Sequence, residues 1–471
     1  MQMKNHRRVD ATLLTLLLAT TLSACTSVPE QPTTERVPLP AQWSRAVPQA
    51  EGDVVSQNWW RSFGSTELDA LIAQAHVQSL DVATSLARVN QARARADQAG
   101  AALLPSLTGN TGVNRQASLD GGSGSASGTG TRFSAGFGLA ASYEVDFWGK
   151  NQSVQNSALA GWQASVFDAD TVRLTVTAHV ANAWLLSVAL RERMGIAELN
   201  IKSAERLLAF VSARVRAGAA SPLELAQQRG LLAGQQRQLV QLQQQAEEAQ
   251  TRIALLLGQT RRAVTSSEVS FSNLRMPQWS VGVPSELMTR RPDIARAEAL
   301  LAAANADVHA ARAAMLPSLV LGGEVGSSGD RWRRIFDNPL YSLAAGLAAP
   351  IFDGGRLAAG RDLALAQREE VVIVYRQSIV QAFADVQFAL DDLSGLQAQA
   401  ESQADELVQA QTALRLAESR YRAGAETLLT LIDAQRTLYA VQDAAAQLHL
   451  ARLQASVALY RAFGGGWNSE S

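Results

Sequence analysis

The sequence has few of the residues that interrupt helices or form covalent crosslinks. Its 471 residues include 13 prolines and one cysteine. No proline lies between Pro105 and Pro222, and none follows Pro350. Because proline removes a backbone donor and breaks helices, these gaps permit two very long uninterrupted helices. A single cysteine excludes disulfides within the chain.

Strong charge and catalytic motifs are also missing. The formal net charge is −1 with 18% charged residues, so the chain lacks the basic field that nucleic acid requires. The five histidines are scattered, with no HExxH motif and no i,i+4 pair. No P-loop, GxGxxG or GxSxG motif occurs. We therefore predict a protein that is not an enzyme, holds no metal or cofactor, and does not bind nucleic acid.

The N-terminus predicts export and lipidation. Three cations precede an apolar run at positions 11 to 22, which is too short to span a bilayer comfortably. The run leads into "LSAC", which ends at Cys25 and resembles the lipobox of bacterial lipoproteins. We predict a signal peptide at 1–24, acylation of Cys25, and a lipid-anchored tether at 25–57. Thr26 stands where an aspartate usually signals inner-membrane retention, so the resemblance implies the outer membrane.

The remaining chain divides into two similar halves. "AALLPSL" recurs as "AAMLPSL", "DFWGK" is echoed by "FDGGR", and "RVRAGAASPLELAQQR" by "RYRAGAETLLTLIDAQ". The offset is 212 residues at the first pair and 206 at the other two, which indicates a duplication with one longer loop in the first half. We predict an internal two-fold repeat at 58–257 and 290–463. An equatorial linker at 258–289 joins the halves, and a tail at 464–471 follows.

Each half contains a predicted β-hairpin, at 106–148 and at 318–353. Apolar and polar residues alternate from 132 to 148 and again before Ile351, which is typical of a strand with two unlike faces. A soluble sheet with one buried face would alternate in the same way. The signal peptide, the aromatic residues near the strand end and the acids on the opposite face favour a lipid-facing, water-lined barrel. Four strands cannot close a barrel, so the chain must oligomerise.

A long helix is predicted to leave each hairpin. An apolar stripe in steps of three and four runs from Val372 to Tyr421, and its copy runs from Val166 to Val215. A 3.5-residue period sustained over so many turns is typical of a left-handed coiled coil. We predict long helices at 149–217 and 355–423, each roughly 100 Å in length at 1.5 Å per residue. Return helices follow at 220–257 and 426–463.

The turns between long and return helices carry helix-end signals. Basic residues that suit a helix C-terminus precede a glycine cap in both copies; they are Arg214, Arg216 and Gly218, and Arg420, Arg422 and Gly424. Ser221, Pro222 and Glu224 form a capping box, which is a sufficient structural role for Glu224. Thr427 caps the second copy, with Thr430 equivalent to Glu224. Capping does not require Asp433, for which an ordinary solvated position is the alternative to a functional one.

The chain resembles the TolC family of outer-membrane efflux proteins, in the lipoprotein branch that serves resistance-nodulation-division pumps. The residues that carry the resemblance are "LMTRRPDIARAEALLAAANADVHAARAAMLPSLVL" at 287–321, "NWWRSFGSTELDALIAQA" at 58–75, and the paired hairpins and turns. The motif positions are Arg290, Arg291, Pro292, Asp293 and Pro317. Pro292 suits the first helical position and Asp293 the first turn, so we interpret Arg290 to Ile294 as a helix start and nothing more.

The resemblance implies a mainly α-helical homotrimer with a 12-stranded β-barrel, four strands per chain, continuous with an antiparallel coiled-coil tunnel. It implies outer-membrane lipid around the barrel, and a periplasmic adaptor and an inner-membrane pump as partners. The turns would meet the adaptor. Asp433, Thr430, Glu224 and Tyr421 would lie at the periplasmic aperture. Because the turn folds two helix ends together, we predict Arg420 and Arg422 as local counter-charges of Asp433, with simple C-terminal caps as the alternative.

The predicted function is therefore an outer-membrane channel. It would give passive exit to drugs or other small toxic compounds that a pump delivers through an adaptor. Metal-ion efflux and type I protein secretion remain alternatives within the family. A lipid-anchored coiled-coil scaffold without a pore is a third, although a scaffold has no use for the alternating hairpins.

Overall fold

The computed structural model describes residues 40–44, 57–116, 132–260, 270–274, 276–277 and 283–468. All of them fall in one compact unit, Leu39–Ser471. The predicted signal peptide at 1–24 and Cys25 lie outside the described residues, as do most of the predicted tether and the loop at 117–131.

The described chain is mainly helical. Its α-helices are α1 (Thr66–Gln78), α2 (Leu80–Gly100), α3 (Lys150–Arg216), α4 (Pro222–Leu256), α5 (Leu287–Arg290), α6 (Pro292–Ala313), α7 (Arg356–Arg422) and α8 (Leu428–Ala462). Its strands are β1 (Ser106–Gln116), β2 (Arg132–Val145), β3 (Ser318–Gly329) and β4 (Pro339–Ala348). Short 3-10 turns include Trp59–Phe63 and Trp332–Arg334. Within the ranges that the structure describes, no helix combines the length and the apolar composition needed to cross a membrane.

The four strands form one antiparallel sheet in the order β1-β2-β3-β4. The central pairing, β2 with β3, joins the two halves of the chain. One row of partners crosses the sheet as Gly109, Leu139, Val325 and Tyr341. Because side chains alternate between faces, odd-numbered residues of all four strands share one face. β1 and β4 form the two edges.

The two faces of the sheet differ in polarity. The odd face carries large apolar side chains that are exposed; they include Leu107, Val113, Phe137, Leu139, Leu321, Val325, Tyr341, Leu343 and Leu347. The even face carries Ser, Thr and Asn side chains, several glycines, and the acids Glu144 and Glu324. An exposed apolar surface of this size marks a contact site, so we infer that an apolar environment covers it in the functional protein.

The long helices start at matching strand-to-helix turns. The Asp146 carboxylate accepts hydrogen bonds from the backbone N–H groups of Asn151 (3.0 Å) and Gln152 (2.7 Å). The Asp353 carboxylate does the same for Gly355 (3.0 Å) and Leu357 (2.8 Å). These bonds satisfy N–H groups that lack a partner within the helix. The echoed sequences "DFWGK" and "FDGGR" therefore encode the same capped helix start.

The helices of the two halves have equal lengths. α3 and α7 have 67 residues each, and α4 and α8 have 35 each. α3 packs against α1, α2, α4, α6 and α8, whereas the main neighbours of α7 are α6 and α8. α3 is consequently the central helix of the single chain, and α7 keeps one flank uncovered.

The largest apolar core lies where the short helices surround the middle of α3. The Trp59 ring stacks on Tyr460 with centroids 4.9 Å apart, and the buried Trp184 donates its Nε1–H to Glu67 (2.8 Å). Trp467 packs edge-on against Phe167 at 5.7 Å and donates to Asp170 (3.0 Å). The segment that we predicted to be a tail is thus held on α3 as far as Trp467.

Candidate functional site

The two turns that join long and return helices have the same backbone geometry. We define the first tip turn as residues 214–224 and the second as residues 420–430. In the first, Gly218 N–H donates to Val215 O (3.0 Å) and Ala219 N–H to Arg214 O (2.8 Å). In the second, Gly424 donates to Tyr421 O (3.1 Å) and Ala425 to Arg420 O (2.9 Å). Both are Schellman caps, and they require the positive φ that Gly218 (68°) and Gly424 (73°) adopt.

An arginine closes each turn in the same way. Arg214 Nη2 donates to Ala219 O at 3.0 Å, and Arg420 Nη2 donates to Ala425 O at 3.3 Å. These bonds add a cation at the negative end of a helix dipole and satisfy a turn carbonyl. Arg216 and Arg422 are exposed.

The two return helices begin with different caps. Glu224 N–H donates to Ser221 Oγ (3.3 Å), and Ser221 N–H donates to Glu224 Oε2 (2.8 Å), so the predicted capping box is present. In the second turn Thr430 N–H donates to Thr427 Oγ1 (3.3 Å). The reciprocal acid is Glu426, which accepts from Thr427 N–H (3.2 Å) and Thr430 Oγ1 (3.1 Å). These hydrogen bonds, with a smaller contribution from Arg420, lower the pKa of Glu426.

Each long helix and its return helix form a helical hairpin, α3 with α4 and α7 with α8. The two helical hairpins pack against each other next to the tip turns. The buried apolar residues that join them are Leu207, Val211, Ala417, Tyr421, Leu428, Leu431 and Ile432. Tyr421 is 1% exposed, with the Arg214 guanidinium 5.0 Å from its ring centroid and Phe210 edge-on at 6.0 Å. Burial, and secondly the charge of Glu224, raise the pKa of Tyr421. Tyr421 thus joins the two helical hairpins of one chain, and its placement at the aperture stays a prediction.

Asp433 lies one helical turn beyond Thr430 on α8 and is exposed. The arginines that we predicted as its counter-charges have other partners. Arg420 Nε lies 3.5 Å from Glu426 Oε2, and Arg422 pairs with Glu418 one turn earlier on α7. Arg420 and Arg422 are therefore paired with Glu426 and Glu418 rather than with Asp433, and the counter-charge prediction is wrong. The Asp433 carboxylate is left facing the surroundings of the single chain.

Buried amides, which the apolar stripe did not predict, lie in the coiled coil near the tips. Gln228 is fully buried and donates Nε2–H to Ala204 O (3.1 Å). Gln435 is 2% exposed and donates to Tyr439 Oη (3.4 Å), which in turn donates to Asn200 O (3.2 Å). Polar groups at core positions of a coiled coil fix the register between helices. The predicted apolar stripes lie on α3 and α7, so they carried no signal for these two residues of α4 and α8.

These observations define a long rod with two matched tips, attached to a sheet with one exposed apolar face. A family model described as "Outer membrane efflux protein" matches residues 71–259 and 283–465. The chain belongs to the outer membrane efflux protein family. The resemblance that we inferred from the "RRPDI" segment and the paired hairpins is confirmed, and the chain is an outer-membrane efflux channel.

Relatives in the family cover nearly the whole chain. The pyoverdine export outer membrane protein OpmQ of Pseudomonas aeruginosa is 48% identical over 477 residues, which is 100% of this chain and 98% of OpmQ. Outer membrane protein OprJ of the same organism is 33% identical and covers 96% of this chain and 95% of OprJ. The open-state structure of the Neisseria gonorrhoeae MtrE outer membrane channel is similar with a TM-score of 0.81 at 27% identity, and covers 92% of this chain and 98% of MtrE.

The efflux-family motif around Arg291 does more than start a helix. Arg291 is 9% exposed, and its Nε and Nη2 donate to the two Asp293 oxygens at 2.9 and 2.6 Å. Its Nη1 donates to Asp385 on α7 (3.0 Å) and to the carbonyl of Ala462 at the end of α8 (3.2 Å). Burial would lower the pKa of Arg291, but the bonds and charges of Asp293 and Asp385 raise it.

Arg291 therefore ties the start of α6 to the middle of α7 and to the end of α8. Our interpretation of the motif as a helix start alone is wrong. The remaining motif positions fit the structure differently: Pro292 is the first residue of α6, Arg290 pairs with Glu286 (3.0 Å), and the Pro317 carbonyl accepts a hydrogen bond from Trp148 Nε1 (2.7 Å). Trp148 follows β2, so Pro317 helps to connect the two hairpins at the helical end of the sheet.

Proposed function

We propose that this chain is the outer-membrane exit for pyoverdine, delivered by an inner-membrane resistance-nodulation-division pump through a periplasmic adaptor. The observation that carries the proposal is the 48% identity to a pyoverdine exporter over the full length of both chains. The sheet with one exposed apolar face, the long helical rod and the two tip turns also support a passive conduit.

Three copies form the channel in this proposal. β1 and β4 are edges of the sheet, and lipid offers no partner for unpaired backbone groups. Pairing β4 of one copy with β1 of the next removes both edges, and three copies give a barrel of twelve strands. The exposed apolar odd face then contacts lipid, and the polar even face lines the water-filled interior.

The helices support the same assembly. α7 carries a set of exposed apolar side chains along its length: Ile373, Val374, Val380, Phe388, Val408 and Leu416. α3, its counterpart in the first half, packs against more helices of the same chain than α7 does. We infer that the first half of the next copy covers this flank of α7, so that the rods together enclose a tunnel.

The tips serve as the aperture and as the docking end. Asp433 is exposed near the second tip turn, and three copies of it would form a ring of negative charge at the mouth. Thr430 and Glu224 are engaged in caps, so we assign them to holding the turns in shape. Arg216, Arg422 and the backbone around Gly218 and Gly424 are exposed at the end of the rod, where an adaptor can contact them.

Cys25 provides the lipid anchor in this proposal. Its support is the lipobox-like "LSAC" and the lack of any other cysteine in the chain. Replacement of the thiol should abolish acylation completely, because no second site is available. Radioactive palmitate labelling of cells that express Cys25→Ser checks this, and label that persists would contradict it.

The cargo is tested by complementation in a Pseudomonas aeruginosa strain without its own OpmQ. Expression of this chain should restore pyoverdine in the medium, measured by mass spectrometry, and should clear it from the periplasm. Native mass spectrometry and single-channel conductance of the same purified protein show whether a channel has formed. A conducting trimer in the outer membrane that restores no pyoverdine export would contradict pyoverdine as the cargo. Export of a drug or a metal ion by that trimer would identify the cargo instead.

A further inference from the structure

The loop between β3 and β4 lies at the far end of the sheet from the helices. β3 starts close after α6 and ends at Gly329, while β4 begins at Pro339 and leads back to α7. The loop, residues 330–338, is therefore at the end of the membrane part that points away from the rod. A 3-10 turn, Trp332–Arg334, orders it, with Arg334 N–H donating to Arg331 O at 2.9 Å.

Two aromatic side chains of this loop extend the apolar face of the sheet. The Trp332 ring lies 6.1 Å from Phe133, and the Phe336 ring lies 5.2 Å from Phe137, measured between centroids. Phe133 and Phe137 both belong to the odd face of β2. Trp332 is 64% exposed and Phe336 75%. The apolar surface thus continues past the last row of the sheet onto the loop.

Arginines border this aromatic end. Arg331, Arg333 and Arg334 are exposed. Arg115 of β1 pairs with Phe133 of β2, so it also belongs to the odd face. Among the residues that the structure describes, none of these four forms an ion pair. The loop contains two acids, Asp330 and Asp337, so three arginines and two aspartates give it a net charge of +1, and Arg115 raises the local charge to +2.

Aromatic rings beside guanidinium groups suit the boundary between acyl chains and phosphate. Tryptophan prefers this depth because its ring has an apolar body and a polar edge. Guanidinium groups bind phosphate oxygens with two parallel hydrogen bonds. An aqueous loop gains nothing from exposing Trp332 and Phe336, whereas a loop at the membrane surface buries both.

We propose that loop 330–338, with Arg115, binds the phosphate groups of lipid A in the outer leaflet. In this site Trp332 and Phe336 lie against the acyl chains below the phosphates, and the four arginines contact the phosphates themselves. The inference rests on the proposed outer-membrane barrel, because the apolar odd face must contact lipid for the loop to reach the headgroups.

The test uses native mass spectrometry of the full-length channel in detergent, titrated with diphosphoryl lipid A or with the same lipid after removal of its phosphates. Wild-type protein should bind the diphosphoryl form and discriminate against the other. The triple variant Arg331→Gln, Arg333→Gln, Arg334→Gln should bind diphosphoryl lipid A about a hundredfold more weakly, from roughly fivefold per arginine at an anionic surface.

A matched control removes three exposed arginines of α2, with Arg88→Gln, Arg93→Gln and Arg95→Gln, and it should bind as the wild type does. Equal binding of both lipids by wild-type protein, or an unchanged affinity in the loop variant, would overturn the inference. Competition by inorganic phosphate as strong as that by the lipid would also overturn it. Conductance in bilayers without lipid A is measured on the same samples, so that failure of the channel itself is recognised separately.

Discussion

Arg193 of α3 binds Asp443 of α8 with two hydrogen bonds. Nε donates to Oδ1 at 2.7 Å and Nη2 to Oδ2 at 3.0 Å, and both side chains are largely shielded from water. The pair connects the long helix of the first half with the return helix of the second. It lies in a groove lined by residues of α3, α4 and α8, next to Gly230 and Gly234.

Loss of this pair should loosen the rod at the groove. We expect a coupling free energy of about 2 kcal/mol between Arg193 and Asp443, because two charge-assisted bonds with bidentate geometry are lost together. A double-mutant cycle of Arg193→Ala and Asp443→Ala, followed by urea unfolding with circular dichroism, measures it. Strictly additive single effects would contradict the coupling.

The orientation of the sheet can be tested at two adjacent residues of β4. Leu343 is on the apolar face and Ser342 on the polar face. Leu343→Arg should impair insertion, since an arginine on the lipid face of a barrel costs about 2–4 kcal/mol at the midplane. Ser342→Arg should insert normally and change only conductance. Heat-resistant trimers recovered from outer membranes report insertion, and equal recovery of both variants would rule out this orientation.

The proposed ring of Asp433 carboxylates should control selectivity at the periplasmic mouth. Converging carboxylates repel anions and attract cations, so Asp433→Ala should lower cation preference in planar bilayers and make cells more permeable to large antibiotics. Thr430, one helical turn before Asp433, is uncharged and adds nothing to the ring, so we expect a modest change. Asp405→Ala, at an exposed position of α7, serves as the control. Identical selectivity in both variants would return Asp433 to the class of ordinary solvated residues.

The tip glycines and a helix glycine should respond to alanine with opposite signs. Gly218 has φ of 68° and open space around its missing side chain, so Gly218→Ala should cost about 1 kcal/mol through backbone strain alone. Gly230 is inside α4, also with open space, and Gly230→Ala should stabilise the protein by about 0.5–1 kcal/mol. Thermal unfolding of both variants compares them. Destabilisation of similar size at both positions would contradict the assignment of the Schellman cap.

Local signals in the sequence were sufficient for the helix ends. The pairing of Ser221 with Glu224 depends on spacing within one turn, and the strand faces depend on alternation, so both are readable from neighbours in the chain. The partners of Arg291 cannot be read from neighbouring residues, because Asp385 and Ala462 are 94 and 171 residues away in the chain. Tyr421 illustrates the same limit. Its place in the apolar stripe predicted contact, but only the packing of the two hairpins decided what it contacts.

The equal lengths of α3 and α7, and of α4 and α8, fix the length of the rod and keep its two tips level. Each residue adds 1.5 Å and rotates the helix by about 100°, so one extra residue in α3 would move the first tip turn away from Tyr421 and turn Arg214 off its ring. Only changes of whole heptads, made together in all four helices, keep both tips level and both faces aligned. Evolution can therefore lengthen or shorten this channel only in steps of about 10 Å, and the depth of the periplasm that it spans is set in those units.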